Sequence, residues 1–211
     1  MDALALIGLA SSVSLLAGWR LYLCVFATGL AMRAGWVALP EHLAGLGALA
    51  NPWVIGAAAI GLLAEFFADK VPWLDSIWDG IHTLVRPVGG ALLAMAIVDA
   101  QDPAWQVASL LLGGSAALLS HGAKASTRAI VNTSPEPVSN VAVSLAEDTS
   151  TGALLLLALA NPAIAVVVAL VLAVAAVAIL LLLRRIWLRM RGIPSGRSDD
   201  RQEPPQSLGS S

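Results

Sequence analysis

From Leu4 to Leu183 the chain alternates long apolar stretches with short polar breaks, and the stretches lack the every-second-residue rhythm of a strand. The clearest is Ala163 to Leu183, apolar without interruption and long enough for a hydrocarbon layer that takes about 20 helical residues at about 1.5 Å each. Unpaired backbone groups are not tolerated in lipid, so such stretches predict helices. The pattern predicts six spans: about 3–34, 52–70, 87–98, 105–130, 138–160 and 163–185. The first is too long for one straight span, and Gly18 marks the expected break. Pro40, Pro52, Pro72, Pro87, Pro103, Pro135, Pro137 and Pro162 fall at the expected boundaries, where a missing N–H costs least.

The segment "WLDSIWDGIHTLVR" has a different rhythm. Leu74, Ile77, Trp78, Ile81, Leu84 and Val85 fall on one helical face, and Asp75, Asp79, His82 and Arg86 on another. This predicts a short amphipathic helix at the membrane interface or packed across the bundle. Beyond Arg191 the pattern ends, and "GIPSGRSDDRQEPPQSLGSS" reads as a disordered tail. The expected organisation is an all-α polytopic membrane helix bundle over 1–192, with a cytoplasmic tail over 193–211.

Composition agrees. Hydrophobic residues make up 58% and charged residues 12% of the chain, against roughly 25% charged in soluble domains. Asp2 precedes the first apolar run and no basic residue does, which is unlike a secretory leader, so that run is expected to stay as a span. Cys24 is the only cysteine, which excludes an internal disulfide and a thiolate metal cage. A net charge of −2 gives no basis for nucleic-acid binding. With six crossings and cytoplasmic termini, Lys70, Arg86, Lys124, Arg128, Arg184, Arg185, Arg189 and Arg191 gather at the inner ends, as the distribution of basic residues in short loops requires.

Three spans per half would make two related halves run oppositely. "LLAEFFAD" and "SLAEDTS" share Leu-Ala-Glu at Glu65 and Glu147, and the preceding spans carry Arg20 and Lys124. This suggests a 3+3 inverted repeat over 1–100 and 101–192. Arg20, Glu65, Asp69, Glu147 and Asp148 all lie within spans, where an ionised side chain facing lipid costs about 2.5–3.5 kcal/mol. They must therefore face a partner or water. Glu65/Asp69 and Lys124/Arg128 are each four apart and could pair rung by rung, while adjacent Glu147 and Asp148 point about 100° apart and should find different partners.

His121, three residues before Lys124, reads as a hydrogen-bonded interior histidine or relay member. Asp75, Asp79 and His82 are weak candidates for a divalent metal, and no other cofactor is indicated. "RAIVNTSPEPVSN" offers a helix start at Ser134 and Glu136, with Arg128 nearby, that could suit an anion. The tryptophans near span ends read as interfacial anchors.

Together, "AEFFADKVPWLDSIWDGIHTLVRPVGGAL" and "HGAKASTRAIVNTSPEPVSNVAVSLAED" resemble an uncharacterised family of small bacterial integral membrane proteins, the domain of unknown function DUF4126. The resemblance covers about 4–160 and implies a bacterial inner membrane, but no substrate or catalytic residue. The residues themselves favour a small, oligomeric transporter or channel-like protein, in which the intramembrane charges serve an unknown solute or ion with proton or cation coupling. Two other readings stand beside it: a metal-assisted enzyme acting on lipid phosphates through Asp75, Asp79, His82 and Arg86, and a structural or partner-binding membrane protein.

Overall fold

The computed structural model describes residues 3–35, 41–98, 101–133 and 137–191, so the predicted tail and the helix start at Ser134 and Glu136 lie outside the described residues. Six α-helices are present: α1 (Ala3–Arg33), α2 (Pro52–Ala68), α3 (Pro72–Val98), α4 (Pro103–Val131), α5 (Pro137–Ala160) and α6 (Pro162–Arg191), with a 3₁₀ helix at Glu41–Ala50 before α2. All α-helices after α1 begin on proline, whose fixed φ suits a first turn that has no use for its N–H. Asn51, Asp102 and Asn161 cap α2, α4 and α6 by accepting from the backbone N–H two residues on, at 2.7–2.9 Å.

Four segments are long and apolar enough to cross a membrane: Ala3–Arg33, Pro72–Val98, Asn140–Ala160 and Ala163–Arg189; α2 is a shorter apolar helix. The outward faces match. Ile77, Leu84, Val88 and Leu92 on α3 and Val167, Val171 and Val174 on α6 are exposed. The apolar helical bundle fits a membrane protein.

The first helix is the axis of the bundle and touches every other element. It is broken at Arg20, where φ −142° and ψ 74° leave the helical region, two residues after the expected Gly18. The first half runs beside α4 and α6. A Cβ on Gly8 would strike Val166, and one on Gly18 would strike Ser120 and the Ala117 backbone. Ser14 Oγ donates to the Gly90 carbonyl of α3 at 2.9 Å. The second half turns back: Leu21 lies against Gly89, the Tyr22 ring against Gly61, and Gly29 against Leu49 and Ile55. Leu21, Tyr22 and Val25 share a groove with Ala57, Ala58, Leu92 and Ala96. α2 then descends to bring Glu65 and Asp69 beside Arg20.

This fold-back leaves Ala3 beside Val98 and Trp105, at the end of the bundle where α6 starts against Gly8, and α6 runs from there toward the opposite end. It also bears on the inverted repeat. The first half of α1 and α4 run in the same direction, whereas inversion requires the helices carrying Arg20 and Lys124 to run oppositely.

The predicted interfacial helix is a further correction, because residues 72–86 are the first half of α3, which continues through Pro87 to Val98. The proline removes one N–H from the ladder, yet α3 is held there by its crossing with α4. A Cβ on Gly90 or Gly113 would meet the other helix's backbone or alanines, so these glycines set how closely the two helices approach. The amphipathic pattern is real but faces the other way. Asp75, Asp79, His82 and Arg86 are buried, while Ile77, Ile81, Leu84 and Val85 are exposed. Once α1 and α4 supply partners for the polar face, the apolar face is the one left for lipid.

Candidate functional site: a buried charged centre around Arg20

The break in α1 creates the site. Residues around a helix break lose their usual pairing partners, and two such carbonyls are met by cations: Gly18 by Arg86 Nη1 at 3.3 Å and Trp19 by Lys124 Nζ at 3.2 Å. Both cations suit the negative end of the half-helix that stops there.

Arg20 has a fully buried side chain and meets four carboxylates. Nη1 pairs with Asp69 Oδ2 and lies 3.6 Å from Glu65 Oε1. Nη2 is 3.0 Å from Glu147 Oε2 and donates to Ser144 Oγ and its carbonyl at 3.2 Å. Nε is 3.0 Å from Asp148 Oδ1. The expectation of different partners for Glu147 and Asp148 therefore fails, because the planar guanidinium is wide enough to reach two adjacent carboxylates with two of its nitrogens.

The rung-by-rung pairing is present. Lys124 Nζ stands 3.4 Å from Glu65 Oε1, and Arg128 Nη2 stands 3.4 Å from Asp69 Oδ1. Lys124 also reaches Glu147 Oε2 at 3.7 Å. Arg20, Lys124, Glu65 and Glu147 thus form a closed set in which each cation meets both glutamates, across α1, α2, α4 and α5.

The α3 residues extend the network. Arg86 Nη2 pairs with Glu65 Oε1, and Nη1 lies 3.4 Å from Asp79 Oδ1 and donates to His121 Nδ1 at 2.8 Å. An arginine can only donate, so His121 Nδ1 accepts. The ring is therefore neutral with its proton on Nε2, which faces the Asp79 carbonyl at 3.1 Å and Thr83 Oγ1 at 3.2 Å. His82 has the opposite tautomer: Nδ1 donates to the Trp78 carbonyl at 2.7 Å, leaving Nε2 to accept from the Tyr22 hydroxyl at 3.0 Å. Arg128 Nε stands 3.4 Å from Asp75 Oδ2, which also accepts from Asn132 Nδ2 at 2.7 Å. Outside the spans, Lys70 sits over the Phe66 ring at 3.4 Å from its centroid, and burial holds its ammonium below the usual lysine value.

Every predicted intramembrane residue is in this one network, and of the four α3 residues placed at a headgroup surface Asp75, Asp79 and Arg86 are in it too, while His82 is buried beside it against Tyr22 and Trp78. As a metal site, Asp75, Asp79 and His82 are dispersed among protein partners, and among the described residues no three histidine, cysteine or carboxylate groups converge for a metal ion. Sequence reasoning missed Tyr22, Thr83, Asn132 and Ser144. For α5 the signal was available: Asn140, Ser144, Glu147 and Thr151 recur at helical spacing, and Asn140, Ser144 and Thr151 are all buried.

Six carboxylates (Glu65, Asp69, Asp75, Asp79, Glu147, Asp148) share the centre with four cations (Arg20, Arg86, Lys124, Arg128). With both histidines neutral and every carboxylate ionised, negative charge is in excess. The centre is reached from two sides. On α5 the Glu147 and Asp148 side chains are 13% and 24% exposed. Between α3 and α4 lies a groove of about 190 Å³ lined by Ser76, Asp79, Gly80, Thr83, Ala125, Arg128, Ala129 and Asn132. Toward the other end of the bundle the interior is closed by Leu9, Val13, Leu16, Ile97 and Leu155.

No curated protein and no solved structure matches the chain. The model of one family, described as a domain of unknown function (DUF4126), matches residues 7–182. That span takes in α2 to α5 whole, most of α1 and α6 and every residue of the charged centre, and the chain belongs to the DUF4126 family.

Proposed function

We propose that the protein is a small membrane transporter or channel-like protein whose charged centre binds and passes a proton or small cation. One observation carries the reading: carboxylates outnumber cations inside a bundle whose outside is apolar, and the set is open to small species on two sides while closed by aliphatic side chains on the third. A purely structural lock would be expected to balance its charges, because each unpaired buried ion costs several kcal/mol. The excess is relieved when protons or cations enter. The broken central helix supports the same reading, since interrupted helices at the level of a polar site are how membrane bundles expose backbone groups to ions without facing lipid. Lys70, Arg184, Arg185 and Arg189 lie at the end of the bundle nearest the centre, which favours that end as the cytoplasmic one in a bacterial inner membrane.

The aliphatic closure favours a second reading, in which the ion pairs only lock the helices together. The lipid-phosphate enzyme loses its support, because Asp75, Asp79, His82 and Arg86 are buried among protein partners. Proteoliposomes decide between the remaining two. Proton or monovalent-cation flux that is present for wild type and lost in Glu147→Gln supports transport. Folded protein with no flux of either kind supports the lock.

A further inference from the structure

The groove between α3 and α4 has a chemical bias that the charge count does not convey. Ser76 Oγ donates to the Pro72 carbonyl at 3.0 Å, and Thr83 Oγ1 donates to the Asp79 carbonyl at 3.0 Å. Both hydroxyl protons are therefore used within α3, and each oxygen also faces one donor, Ser76 Oγ the Asn132 amide at 3.4 Å and Thr83 Oγ1 the His121 Nε2 at 3.2 Å, which leaves one lone pair apiece. The Asn132 amide nitrogen is committed to Asp75 Oδ2, the Pro72 carbonyl and Ser76 Oγ, and its Oδ1 has no hydrogen-bond partner. Asp79 is 5% exposed, and its Oδ1 accepts no hydrogen bond, though it lies 3.4 Å from Arg86 Nη1. Among the described residues Arg128 is the one cation lining the groove, and its guanidinium is taken up by Asp69, Asp75 and the Asn140 carbonyl. The polar side chains around the groove therefore offer acceptors and withhold donors.

We infer that this groove is a binding site for a small monovalent cation, either an alkali ion or ammonium, seated against Asp79, Thr83 and Asn132. The inference rests on the proposed role of the centre and names what enters it. A single lining carboxylate with hydroxyl and amide oxygens suits an ion of one charge, whereas calcium or magnesium takes several carboxylates or keeps its waters. A site short of donors disfavours anions. Gly80 and Ala129 leave the groove wall low, and a Cβ on Gly80 would meet nothing within 4 Å.

The test is the thermal midpoint of the full chain in detergent, titrated with sodium, potassium or ammonium chloride against N-methylglucamine chloride at constant ionic strength. At least one cation is expected to raise the midpoint saturably. Asp79→Asn should weaken that cation's apparent Kd by about tenfold or more, the loss of one charge-assisted contact. Should Asp79→Asn unfold the protein, Gly80→Leu provides the second arm. It fills the groove, leaves every ion pair in place and replaces glycine with a better helix former, so it should abolish the cation-dependent shift while keeping the midpoint in N-methylglucamine. No cation-specific shift in wild type, or a shift that survives Gly80→Leu, overturns the site. Flux in proteoliposomes separates this inference from the reading beneath it. Binding lost in Gly80→Leu with no flux in wild type leaves the site standing and removes transport; flux unchanged by Gly80→Leu removes the site and leaves transport.

Discussion

Replacing Arg20 with methionine removes the one side chain that meets four carboxylates while keeping much of its aliphatic volume. The consequences differ by partner. Glu65 keeps Arg86 and Lys124, Asp69 keeps Arg128, and Glu147 keeps Lys124 at 3.7 Å. Asp148 has no second cation in an ion pair among the described residues. Removing one partner of a buried pair costs about 3–5 kcal/mol because the other charge stays behind. Asp148 retains 24% side-chain exposure, which places the expected loss near the lower end, about 3 kcal/mol. Arg20→Met/Asp148→Asn removes the most stranded charge and should recover roughly half of that loss, within the range measured for hydrogen bonds to charged groups. Unfolding in mixed detergent–dodecyl sulfate micelles, followed by the fluorescence of the seven tryptophans, measures both variants. A loss below about 1 kcal/mol for Arg20→Met, the value of an exposed pair, or a double variant no more stable than the single, would refute the view of Arg20 as the organising charge.

Other expectations follow from the same geometry. Gly18→Leu and Gly113→Leu overpack the crossings with α4 and α3 and should cost at least about 1–3 kcal/mol, whereas Gly122→Ala and Gly152→Ala, where an added Cβ meets nothing within 4 Å, should be neutral or stabilise by up to about 1 kcal/mol; denaturation midpoints check both. A double-mutant cycle of Glu65→Gln with Lys124→Met should show coupling of about 0.5–3 kcal/mol, and additivity would deny the rung between α2 and α4. Tags at the two ends of the chain should be reached by protease from opposite faces of sealed vesicles, and cleavage of both from one face would contradict the fold-back of α1. Cys24, 1% exposed, should resist maleimide in the native protein and react once sodium dodecyl sulfate unfolds it.

Much of this arrangement was legible in the sequence. Proline positions and apolar runs placed α2, α4 and α5 closely, and the expense of ions in lipid required Arg20, Glu65, Asp69, Lys124, Arg128, Glu147 and Asp148 to converge, as they do. The errors share a cause. A helical pattern reports that polar residues occupy one face, not which way that face points. Asp75, Asp79, His82 and Arg86 produce the same pattern at a water surface as in a polar interior, and only the presence of Glu65, His121 and Arg128 across from them decides. The reversal at Arg20 was hidden for a related reason. Arginine carries no local breaker signal comparable to glycine or proline, and its non-helical backbone is accompanied by contacts to residues 45 or more positions away in the chain.

The point where α1 doubles back and the side chain with the largest share of the described ion pairs, four of ten, are the same residue. The arm before Arg20 is tethered through Arg86 and Lys124, which grip the carbonyls of Gly18 and Trp19 and are themselves anchored on Glu65 of α2. Shape and charge in this protein are therefore set by one knot: whatever neutralises a carboxylate there also slackens the cords that hold the elbow bent.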